Sequence, residues 1–216
     1  MRVRPPRCGA RALTSPGRER WVARLLGALL AAAATAPARA DPRPLPFPTQ
    51  DATIIYQTIT ARRPVTLTFR FRVSPREVRT DIGRVVTIVD ITTGHVVLLR
   101  PAEHRYIELP GSVGRTMRNL GLPDESVTYR ETGTDTIAGH TCTVWRAAVP
   151  EALSLCQTAD GLNLRLAASR HGKAVAMVAT RVTLAPLDPA LFQPPPGYTR
   201  SEPPPEMLQA LRRRQK

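Results

Sequence analysis

Two cysteines are the residues of this sequence whose type and spacing point most directly to chemistry. Cys142 and Cys156 flank a segment that predicts two short strands joined by a turn. Folding the chain about Val149 sets the two thiols opposite each other, at a separation that a disulfide can span. A redox-active pair and a metal site are the alternatives, but there is no C-x-x-C and only His140 is nearby. We therefore predict a structural disulfide.

The other polar side chains form no recognisable catalytic or metal-binding pattern. The sequence has no H-E-x-x-H, P-loop, G-x-S-x-G or G-x-G-x-x-G motif. Residues 111–114 read G-S-V-G, which has the spacing of a turn and helix cap. Asp90 interrupts an apolar run, and we expect it near a strand end rather than in a catalytic pair. The histidines are scattered over predicted strands and turns, as surface or structural residues: His95, His104, His140 and His171. We expect no enzyme, no cofactor and no metal.

The first 40 residues have the pattern of a cleavable export signal. Seven arginines are followed by the apolar run Leu25–Ala34 and by small residues that end at Ala40. A basic region, a short apolar region and an A-x-A site are the three parts of a secretory signal. The apolar run falls short of the about 20 residues that a membrane-spanning helix needs. We predict cleavage after Ala40, with an uncleaved anchor as the alternative and with initiation near Val22 as a second possible start.

Removing this segment changes what the charge implies. The full chain has 31 basic and 17 acidic residues, of which residues 1–40 hold 8 and 1, so 23 and 16 remain, a net charge of +7. Four of the remaining positive charges lie in Arg212–Lys216. The main body is therefore nearly balanced and lacks the basic, aromatic face of a nucleic-acid-binding protein. No cysteine lies between residues 9 and 141, so we expect a periplasmic protein without a lipid anchor.

Hydrophobic alternation predicts the elements that position these residues. Val65–Val73 alternates apolar with polar residues, which is typical of a sheet with one buried face. Short apolar runs separated by turn residues predict an antiparallel meander and then a second group of strands. The predicted strands after Val65–Val73 are 76–82, 84–91, 95–100, 104–109, 127–131, 141–148, 152–157, 162–168 and 175–184. Ser112–Leu120 has helical spacing and is followed by Gly121, which predicts a short helix.

The chain therefore divides into four parts. Residues 1–40 are the signal, and 41–50 form a proline-rich leader that we expect to be extended and mobile. Residues 51–198 form the β domain. Residues 199–216 form a proline-rich and basic tail, expected to be a solvated, frayed end, with peripheral contact to an anionic membrane surface as the alternative.

Three short motifs in the second half resemble a known group of proteins. Asp135–Trp145 is similar to a motif x-I-A-G-hydrophilic-x-C-x-x-W, and it is followed by Leu155–Gly161 and Asp188–Tyr198. Together they resemble an uncharacterised group of exported bacterial proteins with the lipoprotein-carrier (LolA/LolB-like) fold. The resemblance implies a mainly β protein with a strongly curved antiparallel sheet, an incomplete barrel, and one or two short helices. In the carriers the hollow of this sheet takes lipoprotein acyl chains.

Two hypotheses of function follow. In the first, the concave face of the curved sheet binds a hydrophobic ligand, such as an acyl chain, a lipid or a lipoprotein. Burying such a chain is worth about 0.8 kcal/mol per CH₂. The candidate cavity residues are the apolar side chains expected on that face: Tyr56, Leu67, Phe69, Phe71, Leu99 and Leu164. In the second, these side chains are a packed core, and the protein is a structural or interaction module that binds another envelope protein.

Overall fold

The alternating run around Phe69 forms a strand, β2 (Thr66–Arg72), in the computed structural model. Leu67, Phe69 and Phe71 are buried, and the residues between them are partly exposed. Successive side chains of a strand point to opposite faces, so the sequence pattern becomes one apolar and one polar face. We call the apolar face the Phe69 face. The polar face, which carries Arg70, is the Arg70 face.

The structure describes residues 43–59, 64–109, 111, 122–148, 152–170, 173–207 and 209. These residues are mainly β, as expected. The other strands are β1 (Ala52–Ile59), β3 (Glu77–Ile82), β4 (Val85–Asp90), β5 (Val96–Arg100), β6 (Arg105–Leu109), β7 (Tyr129–Ile137), β8 (His140–Ala147), β9 (Ala152–Gln157), β10 (Asn163–Arg170), β11 (Lys173–Leu184) and β12 (Thr199–Arg200). Two 3₁₀ helices span Pro101–Glu103 and Pro189–Phe192.

All twelve strands belong to one curved, unclosed sheet, in the order β12-β6-β5-β4-β3-β2-β1-β11-β10-β9-β8-β7. Every pairing is antiparallel except that of β12 with β6. The pairing of β1 with β11 joins the two halves of the chain at the middle of the sheet. Register shifts occur at Ile55/Tyr56, at Glu131/Gly133 and at Asn163/Arg165. Bulges of this kind bend strands and increase their twist, which accounts for the curvature.

The first half of the sheet buries apolar side chains on both faces. On the Phe69 face, cross-strand pairing aligns Phe69 with Thr80, Thr87 and Leu98. On the Arg70 face, the 3₁₀ helix Pro189–Phe192 packs over β4 and β5 and buries Phe192. A chain segment after the last long strand therefore supplies the second layer that this face needs.

The proline-rich leader is not the mobile segment that its composition predicts. Phe47 is 5% exposed and belongs to the main core cluster. Backbone bonds also fix the segment, since the amide of Thr49 donates to the carbonyl of Asp160 at 3.0 Å. The prediction was wrong because the partners of this segment lie 24 or more residues away, as Phe71 does from Phe47, where local composition carries no information about them.

Two boundaries and the tail also differ from the sequence expectations. Strand β7 continues to Ile137, beyond the predicted end at Glu131. It passes through a bulge between Glu131 and Gly133, where Gly133 has φ 146°. The sheet extends past the expected domain end at residue 198, because β12 pairs with β6. The tail is not wholly solvated either, since Met207 packs against the cluster formed by Val89, Val96, Ile107 and Leu109.

Several sequence predictions lie outside the described residues. They are the export signal over residues 1–40, the helix over Ser112–Leu120 and the basic end Arg212–Lys216. These remain predictions.

Candidate functional site

The structure brings five of the six candidate cavity residues together. Tyr56, Leu67, Phe69, Phe71 and Leu164 all belong to one cluster, and each is between 0% and 8% exposed. Strands β1, β2 and β10 supply them. The alternation in β2 and the direct pairing of Tyr56 with Leu67 place the first four on the Phe69 face. We call these five residues the apolar site.

Leu99 does not join the apolar site. Phe69 aligns through β3 and β4 with Leu98, so the neighbouring Leu99 lies on the Arg70 face. There it is 2% exposed and packs in the cluster that Phe192 covers. The candidate list was wrong in grouping Leu99 with Phe69.

Aromatic rings form the centre of the apolar site. The rings of Tyr56 and Phe69 meet edge to face at a centroid distance of 5.3 Å, and Phe69 stacks on Phe71 at 6.1 Å. Such pairs stabilise a core by about 0.5–1.5 kcal/mol beyond the area they bury. The hydroxyl of Tyr56 donates to the carbonyl of Asn163, which satisfies its one polar atom. Burial raises the pKa of Tyr56, so this phenol stays neutral.

The leader covers one end of the apolar site. The ring of Phe47 meets Phe71 edge to face at 6.0 Å. Close packing also constrains Gly161, where an added Cβ would lie 2.9 Å from the carbonyl oxygen of Phe47. Gly161 also has φ 83°, a conformation that favours glycine. The cover is therefore a fitted contact between leader and sheet.

A buried glutamine holds the leader in place. Leu45 donates its amide to Oε1 of Gln157 at 2.6 Å, and Nε2 of Gln157 donates to the Leu45 carbonyl at 2.9 Å. The same Nε2 lies 3.0 Å from Oδ1 of Asn163. Gln157 is 3% exposed, so its amide group needs partners inside the protein. It bonds to both the N–H and the C=O of Leu45, as a neighbouring strand would.

Sequence reasoning missed Phe47 and Gln157 as parts of this site. Phe47 stands between two prolines, Pro46 and Pro48, which favour an extended segment and say nothing about burial. Gln157 follows Cys156 in a strand with too few residues to show which face is buried. The one available signal was the aromatic ring itself, because a phenylalanine in an exposed, mobile leader would be unusual.

The predicted disulfide is present, with a different register. Cys142 and Cys156 are bonded, with Cα atoms 5.3 Å apart. Strand pairing sets Cys156 opposite Val144, two residues from the predicted partner. A shift of two residues keeps side chains on the same face, so the two sulfurs still meet diagonally. Cys142 is 1% exposed and Cys156 is fully buried, both within the main core cluster.

Asp90 and Asp51 are engaged in structural contacts. Asp90 lies at the end of β4, as expected, and accepts hydrogen bonds from the amides of Thr92 and Thr93. Its burial opposes ionisation, but these hydrogen bonds outweigh that effect and lower the pKa of Asp90. Asp51 accepts from the amides of Val73 and Leu187, which ties three segments together.

The Arg70 face carries a set of ion pairs. Asp81 pairs with both Arg70 and Arg79, and Arg72 pairs with Glu77. The guanidinium of Arg72 also lies 4.9 Å from the ring centre of Phe192, a cation–π contact. Burial raises the pKa of Glu77, and Arg72 opposes that rise. These contacts fix the second layer over β2 and β3.

One cleft lies beside the leader. Its empty volume is about 260 Å³, including the part open to solvent. It is lined by Arg43, Pro44, Pro46, Pro123, Asp124, Glu125, Val127 and Tyr129. Ligand sites are usually larger, about 300–1,000 Å³, and more apolar, so this cleft is a weaker candidate than the apolar site.

The described part of the chain holds neither a metal-binding cluster nor a membrane-spanning helix. No group of three or more His, Cys, Asp or Glu side chains there is placed to hold a metal ion. No helix among those residues is both long and apolar enough to cross a membrane.

The fold places this chain among proteins with a lipoprotein-carrier-like architecture, which confirms the expected fold. No protein family and no curated protein matches it. An uncharacterised conserved protein of Thermus thermophilus matches with TM-score 0.52 and 12% identity, over 71% of this chain and 91% of that one. MucB, also solved in complex with MucA from Pseudomonas aeruginosa, matches with TM-score 0.51 and 12% identity, over 70% of this chain and 59% of MucB. Lipoprotein LppX of Mycobacterium tuberculosis matches with TM-score 0.39 and 10% identity, over 63% of this chain and 88% of LppX.

Proposed function

We propose that this protein is an exported, non-catalytic protein that binds a hydrophobic ligand in the apolar site. The ligand would be an acyl chain, a lipid or a lipoprotein. One observation carries the proposal: a leader held by a few hydrogen bonds, with Phe47 as its anchor, covers an aromatic surface on a curved sheet. A cover of this kind can be exchanged for a ligand without dismantling strand pairing.

The energetics of such an exchange are favourable for a long alkyl chain. Displacing Phe47 exposes one aromatic side chain, whose burial is worth about 1.5–3 kcal/mol. Each CH₂ of an incoming chain contributes about 0.8 kcal/mol when buried, so about four CH₂ groups offset the loss. The rings of Phe69 and Phe71 would then contact the chain in place of the Phe47 ring.

Export and a periplasmic location belong to the same proposal. The basic, apolar and small-residue pattern of residues 1–40 supports export. The Cys142–Cys156 disulfide supports an oxidising compartment. The absence of catalysis is proposed because Asp51, Asp81 and Asp90 are each used to hold the fold.

A protein-interaction module is the second candidate. Its support is the tight packing of the apolar site, where Tyr56 and Leu164 are 1% and 0% exposed. A core packed this closely can serve as a scaffold with no small ligand. The partner would be another envelope protein, a kind of partner that MucB has in MucA.

Native mass spectrometry of the protein purified from its own envelope fraction tests the first candidate against the second. We expect a mass excess that organic extraction removes and that corresponds to a lipid or fatty acid. A fluorescent fatty acid should then rebind the extracted protein. The bare polypeptide mass, together with no binding of the fluorescent fatty acid, would contradict ligand binding and favour the interaction module.

A further inference from the structure

One end of the sheet carries an exposed apolar surface. The turn Gly83-Arg84 joins β3 to β4 there, with Ile82 paired to Val85. Val65 lies just before β2, two residues from Leu67, which pairs with Ile82. Val65, Ile82 and Val85 are 45%, 43% and 48% exposed. All three lie on the Phe69 face, so they continue the buried apolar stripe to the edge of the molecule.

Basic side chains lie beside this surface. The ladder sets Val86 opposite Leu99, so the next residues, Val85 and Arg100, are neighbours at the end of their strands. Arg100 is paired in turn with Arg105 on β6. Arg84 occupies the turn itself and is exposed. We call Val65, Ile82, Val85, Arg84, Arg100 and Arg105 the rim patch.

The rim patch has a net positive charge. Glu103 pairs with Arg100 at 3.5 Å, in a contact where both side chains are about half exposed. Asp81, the other nearby acid, is taken up by Arg70 and Arg79 on the Arg70 face. Within the described ranges, Arg84 and Arg105 make no ion pair. Two cationic groups are therefore available to an external anion.

We propose that the rim patch docks the protein on an anionic lipid bilayer surface. Exposed apolar side chains insert at the boundary between headgroups and acyl chains, and arginines bind the phosphate groups. A clustered apolar surface edged by charge marks an interaction site, whereas single exposed apolar residues are ordinary. This role does not depend on whether the apolar site holds a ligand.

The charge of the rim patch argues for lipid over a second copy of the chain. A two-fold dimer through this patch would bring two copies of the same positively charged surface together. Like charges at an interface oppose association. A bilayer rich in phosphatidylglycerol offers an apolar interior and negative charge together, which complements both parts of the patch.

Vesicle flotation tests the proposal with the full chain, purified as its host processes it. The probes are vesicles of phosphatidylglycerol with phosphatidylcholine, and vesicles of phosphatidylcholine alone. We expect the protein to float with the anionic vesicles and to be released by salt, because exposed charges are screened. Ile82→Ser with Val85→Ser should lower binding about tenfold, and Arg84→Gln with Arg105→Gln should do so independently.

Leu184→Ser is the matched control. Leu184 is 44% exposed, like Val85, but it pairs with Ala52 at the opposite end of β1. This variant should float as the parent does, and circular dichroism should show that all variants keep the parent's fold. Absence of binding to anionic vesicles, equal binding to neutral vesicles, or equal loss in Leu184→Ser would overturn the proposal. So would a dimer in light scattering that the rim substitutions dissociate.

Discussion

Nη1 of Arg165 donates to Oδ2 of Asp135 at 2.6 Å, across the two strands that lie between them. Asp135 pairs with Cys142 on β8, and Arg165 pairs with Cys156 on β9. The ion pair therefore closes over the disulfide. Three strand spacings would separate β7 from β10 by about 14 Å in a flat sheet, so the contact requires the sheet to bend here. Covalent and ionic links together hold this end of the sheet curved.

Asp135→Asn should make stability less dependent on pH. The hydrogen bond from Arg165 lowers the pKa of Asp135 in the folded protein. Its stabilising effect is therefore complete above the carboxyl's unfolded pKa of about 3.9 and is lost as pH falls through the lower folded value. Urea midpoints of parent and variant should differ at neutral pH and converge in acid. Glu131→Gln, an exposed change on the same strand, is the control. A difference between the urea midpoints that persists below the folded pKa of Asp135 would contradict a stabilising role of its ionised carboxylate.

Removing the disulfide should cost about 3 kcal/mol of unfolding free energy, from the loop-closure entropy of so short a loop. The two cysteines are 14 residues apart. The measurement is the denaturant midpoint of Cys142→Ser with Cys156→Ser, compared with the parent protein under reducing and oxidising conditions. The difference between parent and variant should shrink when the parent is reduced, and the part that remains is the cost of burying two serine hydroxyls. If the denaturant midpoint of the parent were the same with and without reductant, the disulfide would not stabilise the fold.

Phe47→Ala should release the leader while the sheet stays folded. Truncating a buried phenylalanine costs about 3–5 kcal/mol when the whole fold depends on it, and less when one segment can detach. Hydrogen exchange should therefore rise at the amides of Leu45 and Thr49, which bond to Gln157 and Asp160. Leu45→Ala is the control, because Leu45 bonds to Gln157 through its backbone and not through its side chain. Unchanged protection in Phe47→Ala would show that the hydrogen bonds alone hold the leader.

Leu67→Ala and Leu99→Ala should separate ligand binding from stability. Both leucines are nearly fully buried, at 8% and 2% exposure, so each truncation should cost about 2–5 kcal/mol. They lie on opposite faces of the sheet. Leu67→Ala should weaken binding of a fluorescent fatty acid about tenfold, by loss of apolar contact. Leu99→Ala should leave that affinity unchanged. Equal weakening in both variants would mean that the ligand binds elsewhere or that the loss of binding reflects lower stability.

Much of the fold could be predicted because its strands alternate clearly. Predicted and observed strands agree within two residues for most of the sheet, and 152–157 coincides with β9. Strand β5 shows why the candidate site was less predictable. Its sequence, V-V-L-L-R, is apolar on both faces, so periodicity cannot choose between Leu98 and Leu99. Only pairing with β4 decides which leucine shares a face with Phe69.

The sequence by itself determined the strands, the disulfide partners and the aromatic composition of the apolar site. These depend on local periodicity and on having two cysteines beyond residue 40, which a linear chain displays directly. Tertiary structure alone decided that the leader covers the site through Phe47 and Gln157, and that Asp135 reaches Arg165 over the disulfide. Such contacts join residues 24 to 112 positions apart, and they exist only after bulges have curved the sheet. Their geometry is a property of the assembled sheet, which no local segment encodes.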